Sequence, residues 1–264
     1  MTITTEIRGR VAIVRLDRAE ARNAVDPDMA RALFDAFLKM DADPTIDIAI
    51  LTGNGGHFCA GFDLKTAADG RAEAWIKQVD IPKGWNDPMG DPIAAPMGPS
   101  RLMLRKPVIA AIEGHAVAGG IELAAWCDMR VAARDAIFGV YCRRWGVPLI
   151  DGGTVRLPQI LGQGRANDLM LTGRPVAADE AYQMGLVDRL ADRGGALDAA
   201  IELAQSLCDF PQGCLRSDHL SARMAPANLA RALTREWKSV AAFGTEGRAG
   251  ATRFSNGQGR HGAF

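Results

Sequence analysis

Two apolar, strand-like runs break into glycine-rich turns: ILTGNGGHFCAGFDL at residues 50–64 and AIEGHAVAGGIEL at residues 111–123. A strand that ends in glycines presents bare backbone N–H groups, and a helix starting there aims them outward with a favourable dipole. The chain is thereby restricted to folds in which strands feed turns and then helices. The first turn is not a dinucleotide fingerprint. Gly53 and Gly55 follow a strand, but the third glycine of that pattern would fall on Phe58. About 20 residues on, where an acidic residue should close a second strand, stands the helix-like RAEAWIKQ. The G-x-S-x-G elbow, the G-x-x-x-x-G-K-[ST] loop and the H-E-x-x-H pair are also missing from the sequence, so the common nucleophile and metal chemistries lack their signals and no metal site is expected.

The remaining pattern predicts mixed α/β. EIRGRVAIVRLD alternates about a glycine and reads as a hairpin whose second strand runs to Leu16. Asp26-Pro27 is a helix start, followed by Met29, Leu33, Phe34, Phe37 and Leu38 at helical spacing. IDIAILTG from Ile46 and PVIAAIEGHAV from Pro107 each read as one buried strand, and a helix is expected from Gly119-Gly120 through Trp126. DMRVAA, FGVY and LVDRL read as strands, residues 152–161 as a helix despite Pro158, and AADEAYQMG as a helix stopped by Gly185. Between Asp80 and Ser100, five prolines and three glycines exclude a long helix or central strand, leaving either a binding loop or a surface excursion. Beyond Gly194 the chain is helix-like, with ALDAAIELAQSLC, a break at Pro211 and ANLARALTREWKSVAAF. The natural division is a strand-rich core at 1–195 and a helical region at 196–264.

With 48% hydrophobic residues among 264, the chain can bury a large core. Lys plus Arg and Asp plus Glu both number 31, which gives no basic footprint for nucleic acid or an anionic membrane. No apolar run reaches the roughly 18 to 20 residues of a membrane helix, and the N-terminus lacks a signal-peptide pattern. Five cysteines without a C-x-x-C pair read as reduced thiols. A soluble, cytoplasmic protein is expected.

Glu122 is the anomaly in the second turn, a carboxylate within a run of small and apolar residues. Burying it without a partner costs several kcal/mol or removes its charge. Either it is a first-turn residue favoured by the helix dipole, or it carries chemistry. Two glycine turns converging on one point would hold an oxygen that becomes negative during a reaction, such as a thioester carbonyl passing through an enolate. A glutamate three residues past one of those amides is then placed to move the proton at Cα.

These segments resemble the crotonase, or enoyl-CoA hydratase/isomerase, superfamily nearly end to end. LDRAEARNA (16–24) is similar to its L-N-R-P-x-x-x-N-A, and FCAGFDLK (58–65) to F-x-A-G-x-D-[LI]. GHAVAGGIELAAWCDMRVAARDAIFG (114–139), GGTVRLPQILG and LTGRPVAADEAYQMGLVDRL also follow the family pattern. The resemblance implies a crotonase-like spiral of repeated strand-strand-helix units, with the C-terminal helical region making a homotrimer or a dimer of trimers. It implies an acyl-CoA thioester substrate, with coenzyme A arriving as part of the substrate and no separate cofactor. The Phe62 and Gly119 amides would form the oxyanion hole, and Glu122 would be the acid/base. Arg22, Ala60 and Lys65 would contact substrate or coenzyme A. His57 and His115 lie inside the motifs as turn-packing residues. A catalytically degenerate acyl-CoA-binding or interaction protein is the competing expectation.

The pattern breaks at FGVYC, where Tyr141 and Cys142 replace the proline and second glutamate of the family's hydratases. An ordinary thiol titrates near 8.5 against about 4.3 for glutamate. Arg143 and Arg144 beside Cys142 favour a thiolate, while burial favours an inert thiol. Leu149 and Ile150 stand where relatives tend to carry proline and glycine, and Asp151 follows either as a substitute carboxylate or as the cap of the next helix. Loss of the second glutamate points to isomerisation or slow hydration, unless Asp151 takes its place. The ending FSNGQGRHGAF differs from the family's basic terminus, and no coenzyme A contact is expected from it.

Overall fold

Strands whose two faces are both covered read as unbroken apolar runs, and such strands build the main sheet. The computed structural model describes residues 2–258. β1 (Ile3–Arg8) and β2 (Val11–Leu16) form the expected antiparallel hairpin. Parallel to β2 follow β3 (Ile48–Gly53), β4 (Val108–Ile112), β6 (Met129–Ala133) and β9 (Arg189–Ala191), in a 6-stranded sheet of order β1-β2-β3-β4-β6-β9. β5 (His115–Val117), β7 (Ile137–Gly139) and β8 (Val176–Ala177) make a 3-stranded sheet.

The expected single strand from Pro107 through Val117 is therefore two strands in different sheets. The chain turns at Gly114, whose φ is +52° and where a Cβ would collide with Gly56 O. This is the recurring unit of the spiral: a strand in the large sheet, a turn, a short extended pairing beside it, then a helix. The isolated bridges Val25↔Phe62 and Cys59↔Ala116 supply the short pairing in the first two units.

The helices follow local rules. α1 (Pro27–Ala42) is capped by Asp26, whose side chain accepts from Met29 N at 2.9 Å, and it buries Met29, Leu33, Phe37 and Met40. α2 (Leu64–Ala68) and α3 (Arg71–Gln78) precede the proline-rich segment, and α4 (Gly119–Trp126) is buried along its whole length. α5 (Gly153–Leu161) contains Pro158, α6 (Gln163–Thr172) follows, and α7 (Ala178–Gln183) ends before Gly185 at φ +88°. α8 (Ala196–Cys208) lays Ala200, Ile201, Leu203 and Ala204 on one face of the large sheet, against Ile13, Ile48, Ile50 and Ile109. The opposite face, with Val14, Leu51, Ala110 and Ile112, joins the larger core with α1 and α4.

α9 (Gln212–Ala222), α10 (Pro226–Trp237), α11 (Val240–Ala242), a π turn at Phe243–Gly247 and α12 (Arg248–Ser255) complete the described chain. The helix expected to run from Ala227 to Phe243 thus ends at Trp237. α6 was not legible in the sequence because its apolar stripe is weak, burying only Ala166 and Leu169; α9, which buries nothing, and α12, which buries Gly250 and Ala251, fall within the stretch beyond Gly194 that reads as helix-like, without separate bounds. Residues 259–264 of the atypical ending lie outside the described residues. Among the described residues no helix is long and apolar enough to cross a membrane.

Candidate active site

The first motif acts as a clamp on the second. Asn23, fully buried at φ +56°, donates from Nδ2 to Asn54 O at 2.9 Å and His57 O at 2.7 Å, fixing the glycine turn after β3. Arg18 bridges to Asp63 at 2.9 Å and Asp26 at 3.2 Å, tying both motifs to the start of α1. Neither residue carries a role that its place in the motif reveals, although both lie inside LDRAEARNA.

The two glycine turns meet. Cys59 N donates to His115 O at 2.9 Å and Val117 N to Cys59 O at 3.0 Å. A Cβ at Gly61 would sit 2.8 Å from both Ala118 Cβ and Gly119 N, so only glycine allows this approach. Val25 pairs with the residues flanking Phe62, through Val25 N to Gly61 O at 2.8 Å and Asp63 N to Val25 O at 2.9 Å. That pairing leaves the Phe62 N–H on the other side. Gly119 N is the first amide of α4 and has no acceptor four residues back. Neither amide donates to a protein acceptor among the described residues. Ala118, at φ +53° and ψ −127°, occupies a strained backbone region worth about 1–3 kcal/mol, and Ala118 N is held by Gly139 O at 2.9 Å.

A cavity of about 1040 Å³ opens at this junction, lined by Glu122, Asp151, Phe62, Gly119, Arg22, Ala60 and Lys65 together. Every residue that the sequence placed in the site is therefore brought to one volume. Arg22 and Lys65 are exposed at its polar side, while Met97, Ile150, Val147 and Phe243 contribute apolar wall.

Glu122 is buried, and its Oε1 accepts from Asp151 N and Gly153 N at 2.9 Å each. Burial, then the charges of Asp151 and Glu236, push its carboxyl well above the ordinary glutamate value. Asp151 is not the cap of α5, whose N-cap is Gly152. Its Oδ1 instead accepts from Met97 N at 2.9 Å and Ser100 Oγ at 2.5 Å. Burial raises the Asp151 carboxyl too, but those two donors and the nearby Arg101 and Arg156 counter the shift.

The proline-rich segment is thus no surface excursion at its far end: residues 95–100 are buried and fasten onto Asp151. Cys142 also lines the cavity, but burial pushes its thiol up to about 12, with Glu122's charge adding and Arg143 only partly offsetting. It is a protonated thiol. His57 and His115 contact through their Nδ1 atoms at 3.2 Å, and burial holds both below the ordinary histidine value. A third carboxylate, Glu236 on α10, was missed, although the sequence carries a signal for it. It falls on the same helical stripe as Ala230, Leu233 and Trp237, where a glutamate is as anomalous as Glu122.

Comparison with known proteins identifies the family. The family profile described as "Enoyl-CoA hydratase/isomerase" matches residues 6–256. Enoyl-CoA hydratase EchA19 of Mycobacterium tuberculosis is 40% identical over 210 residues, covering 76% of this chain and 73% of that protein. Carnitinyl-CoA dehydratase of Salmonella agona is 38% identical over 202 residues, covering 75% and 71%. Among solved structures, enoyl-CoA hydratase EchA1 from Mycobacterium marinum superposes with a TM-score of 0.73 at 34% identity, covering 97% of this chain and 96% of that one. Carnitinyl-CoA hydratase from Mycobacterium avium gives 0.79 at 26% identity, with the same coverage. The chain belongs to the enoyl-CoA hydratase/isomerase, or crotonase, superfamily.

Proposed function

We propose that the protein catalyses reversible hydration of an enoyl-CoA thioester, with Glu122 and Asp151 as its two proton-handling groups. The observation that supports this most is the placement of both buried carboxylates on the wall of one cavity with the unpaired Phe62 and Gly119 amides. Asp151 takes a proton from water as its oxygen bonds to Cβ. The electron pair of the Cα–Cβ double bond moves into the thioester, and the resulting enolate oxygen is held by the two amides. Glu122 delivers its proton to Cα, and the proton on Asp151 then returns to Glu122. Dehydration is the reverse. Arg22 and Lys65 carry positive charge at the polar side for the coenzyme A phosphates, and Ala60 lies along the thioester path. Coenzyme A enters as part of the substrate, with no resident cofactor, and the C-terminal helices make the subunit contacts of a trimer or a dimer of trimers.

The experiment is a panel of enoyl-CoA thioesters with the purified protein and Glu122→Gln. The substitution keeps shape and removes the exchangeable proton, so turnover should fall about 10²- to 10⁴-fold. Near-wild-type turnover would refute the assignment, and no turnover of any thioester by the wild type would favour an acyl-CoA-binding protein without catalysis. One observation favours a second reading, double-bond isomerisation with Glu122 alone: Cys142 stands where the family's hydratases carry a carboxylate. In that case hydration is slow in the wild type and rises in Cys142→Glu.

A further inference from the structure

One buried carboxylate beside the site has no part in the chemistry above. Glu236 is 7% exposed on the apolar stripe of α10, and a buried charge needs partners. All of its hydrogen-bond partners lie at the start of α5. Its Oε1 accepts from Gly152 N at 2.6 Å, and its Oε2 accepts from Thr154 N at 2.8 Å and Thr154 Oγ1 at 2.5 Å. The preceding amide, Asp151 N, and the intervening one, Gly153 N, go to Glu122 Oε1. Four successive N–H groups thus alternate between carboxylates from two different helices. A helix start leaves such groups unpaired, and the N-cap here is Gly152, at φ +91° with no side chain to offer. The turn at 151–154 has its donors satisfied only when held by both helices, and that placement locates both the Asp151 side chain and the carboxylate of Glu122.

We propose that Glu236 is a positioning residue for the acid/base pair, holding the 151–154 turn from α10 so that Glu122 and Asp151 keep their relative placement on the cavity wall. The C-terminal helical region thereby becomes part of the active site. This inference rests on the reading of Glu122 and Asp151 as the reacting groups. Its charge also acts on Glu122. The charged groups around it are Glu122 on α4, Asp151 in the turn, Arg156 on α5, Arg101 in the Pro99–Arg101 turn, and Asp80, which accepts from Trp237 Nε1 at 2.7 Å. Arg101 also stacks on the Trp237 ring at 4.3 Å. A negative Glu236 disfavours ionisation of Glu122, so neutralising it makes Glu122 give up its proton at lower pH.

The test is steady-state hydration against pH with full-length Glu236→Gln and Glu236→Ala, measured beside Glu122→Gln. Glutamine keeps one acceptor oxygen of two, and alanine keeps none. Glu236→Ala should lower kcat about 100-fold with little change in KM, as expected for a misplaced reacting group, and Glu236→Gln should lower it about tenfold. In both, the limb where activity falls with rising pH should move to lower pH. If both retain wild-type kcat and pH profile and lose only Tm, Glu236 merely caps α5 and the inference is overturned. A rise in KM alone overturns it equally. If Glu236→Ala does not fold, Glu236→Gln decides on the same readouts. Turnover surviving in Glu122→Gln refutes the pair and the inference with it, whereas an inactive Glu122→Gln beside an unchanged Glu236→Gln refutes the inference alone.

Discussion

Asp151→Asn separates the chemistry of Asp151 from its role as an anchor. Asparagine retains an oxygen at the Oδ1 position, where Met97 N and Ser100 Oγ donate at 2.9 and 2.5 Å. The loop at 95–100 therefore stays fastened. Asp151→Ala, by contrast, leaves two buried donors unpaired at about 1–3 kcal/mol each. What asparagine removes is the negative charge and the proton-accepting oxygen. A positioned base contributes about 10²- to 10⁴-fold, which at 1.36 kcal/mol per decade is about 2.7 to 5.4 kcal/mol of barrier. Loss of the charge also makes Glu122 easier to ionise, because Asp151 is the largest charge acting against it. The basic limb of the pH profile should therefore move to lower pH. The assay follows loss of the conjugated enoyl-thioester absorbance on hydration, with interconversion of β,γ- and α,β-unsaturated thioesters measured in parallel. Asp151→Asn should lose hydration by the amount above while keeping isomerisation, which needs only Glu122, and its Tm should stay near wild type. Wild-type hydration in this variant, with Glu122→Gln inactive, would show that Asp151 only anchors the loop and that the two-carboxylate mechanism is wrong.

Gly61→Ala should damage the amide site without touching a side chain, since the backbone at φ +96° is strained for alanine and the new methyl meets Ala118 Cβ and Gly119 N at 2.8 Å. Displacing one oxyanion donor corresponds to about 10²- to 10³-fold in kcat, and an unaltered kcat would contradict the placement of that donor. With its thiol pushed up to about 12, Cys142 is ionised to only about one part in ten thousand at pH 8; iodoacetamide should therefore label exposed Cys214 well before Cys142, and rapid labelling of Cys142 would refute its inert assignment. The raised carboxyl of Glu122 makes the folded state bind a proton more tightly than the unfolded chain, whose glutamate titrates near about 4.3. Its contribution to stability is therefore present below that value and lost as pH rises through the folded one. The Tm of Glu122→Gln relative to wild type should climb across that window, and a pH-independent difference would mean that Glu122 is not perturbed.

Much of the architecture is written locally, because strand runs, caps and glycine turns depend on neighbours in the chain. The Asp26-Pro27 start, the buried strands and the Gly185 stop are properties of a few adjacent residues, and the five motif segments carry the family. Glu122 was legible because a lone carboxylate in an apolar run is costly wherever the run is buried. The split of residues 107–117 between two sheets was not legible, since an apolar run looks the same whether it continues in one sheet or turns at Gly114 into another. The helix α6 was not legible because its packing face is small, and within the helix-like stretch beyond Gly194 the bounds of α9 and α12 were not legible for the same reason. The surroundings of Asp151 also waited on tertiary structure: sequence left it as either cap or substitute, and the fold excludes the cap, since its Oδ1 accepts instead from Met97 and Ser100, more than fifty residues away. Glu236 reaches Gly152 from 84 positions along the chain, a pairing that no local pattern encodes. Sequence fixes which groups cannot be buried alone, and only the packed fold determines which partners, brought from distant segments, let them be buried together.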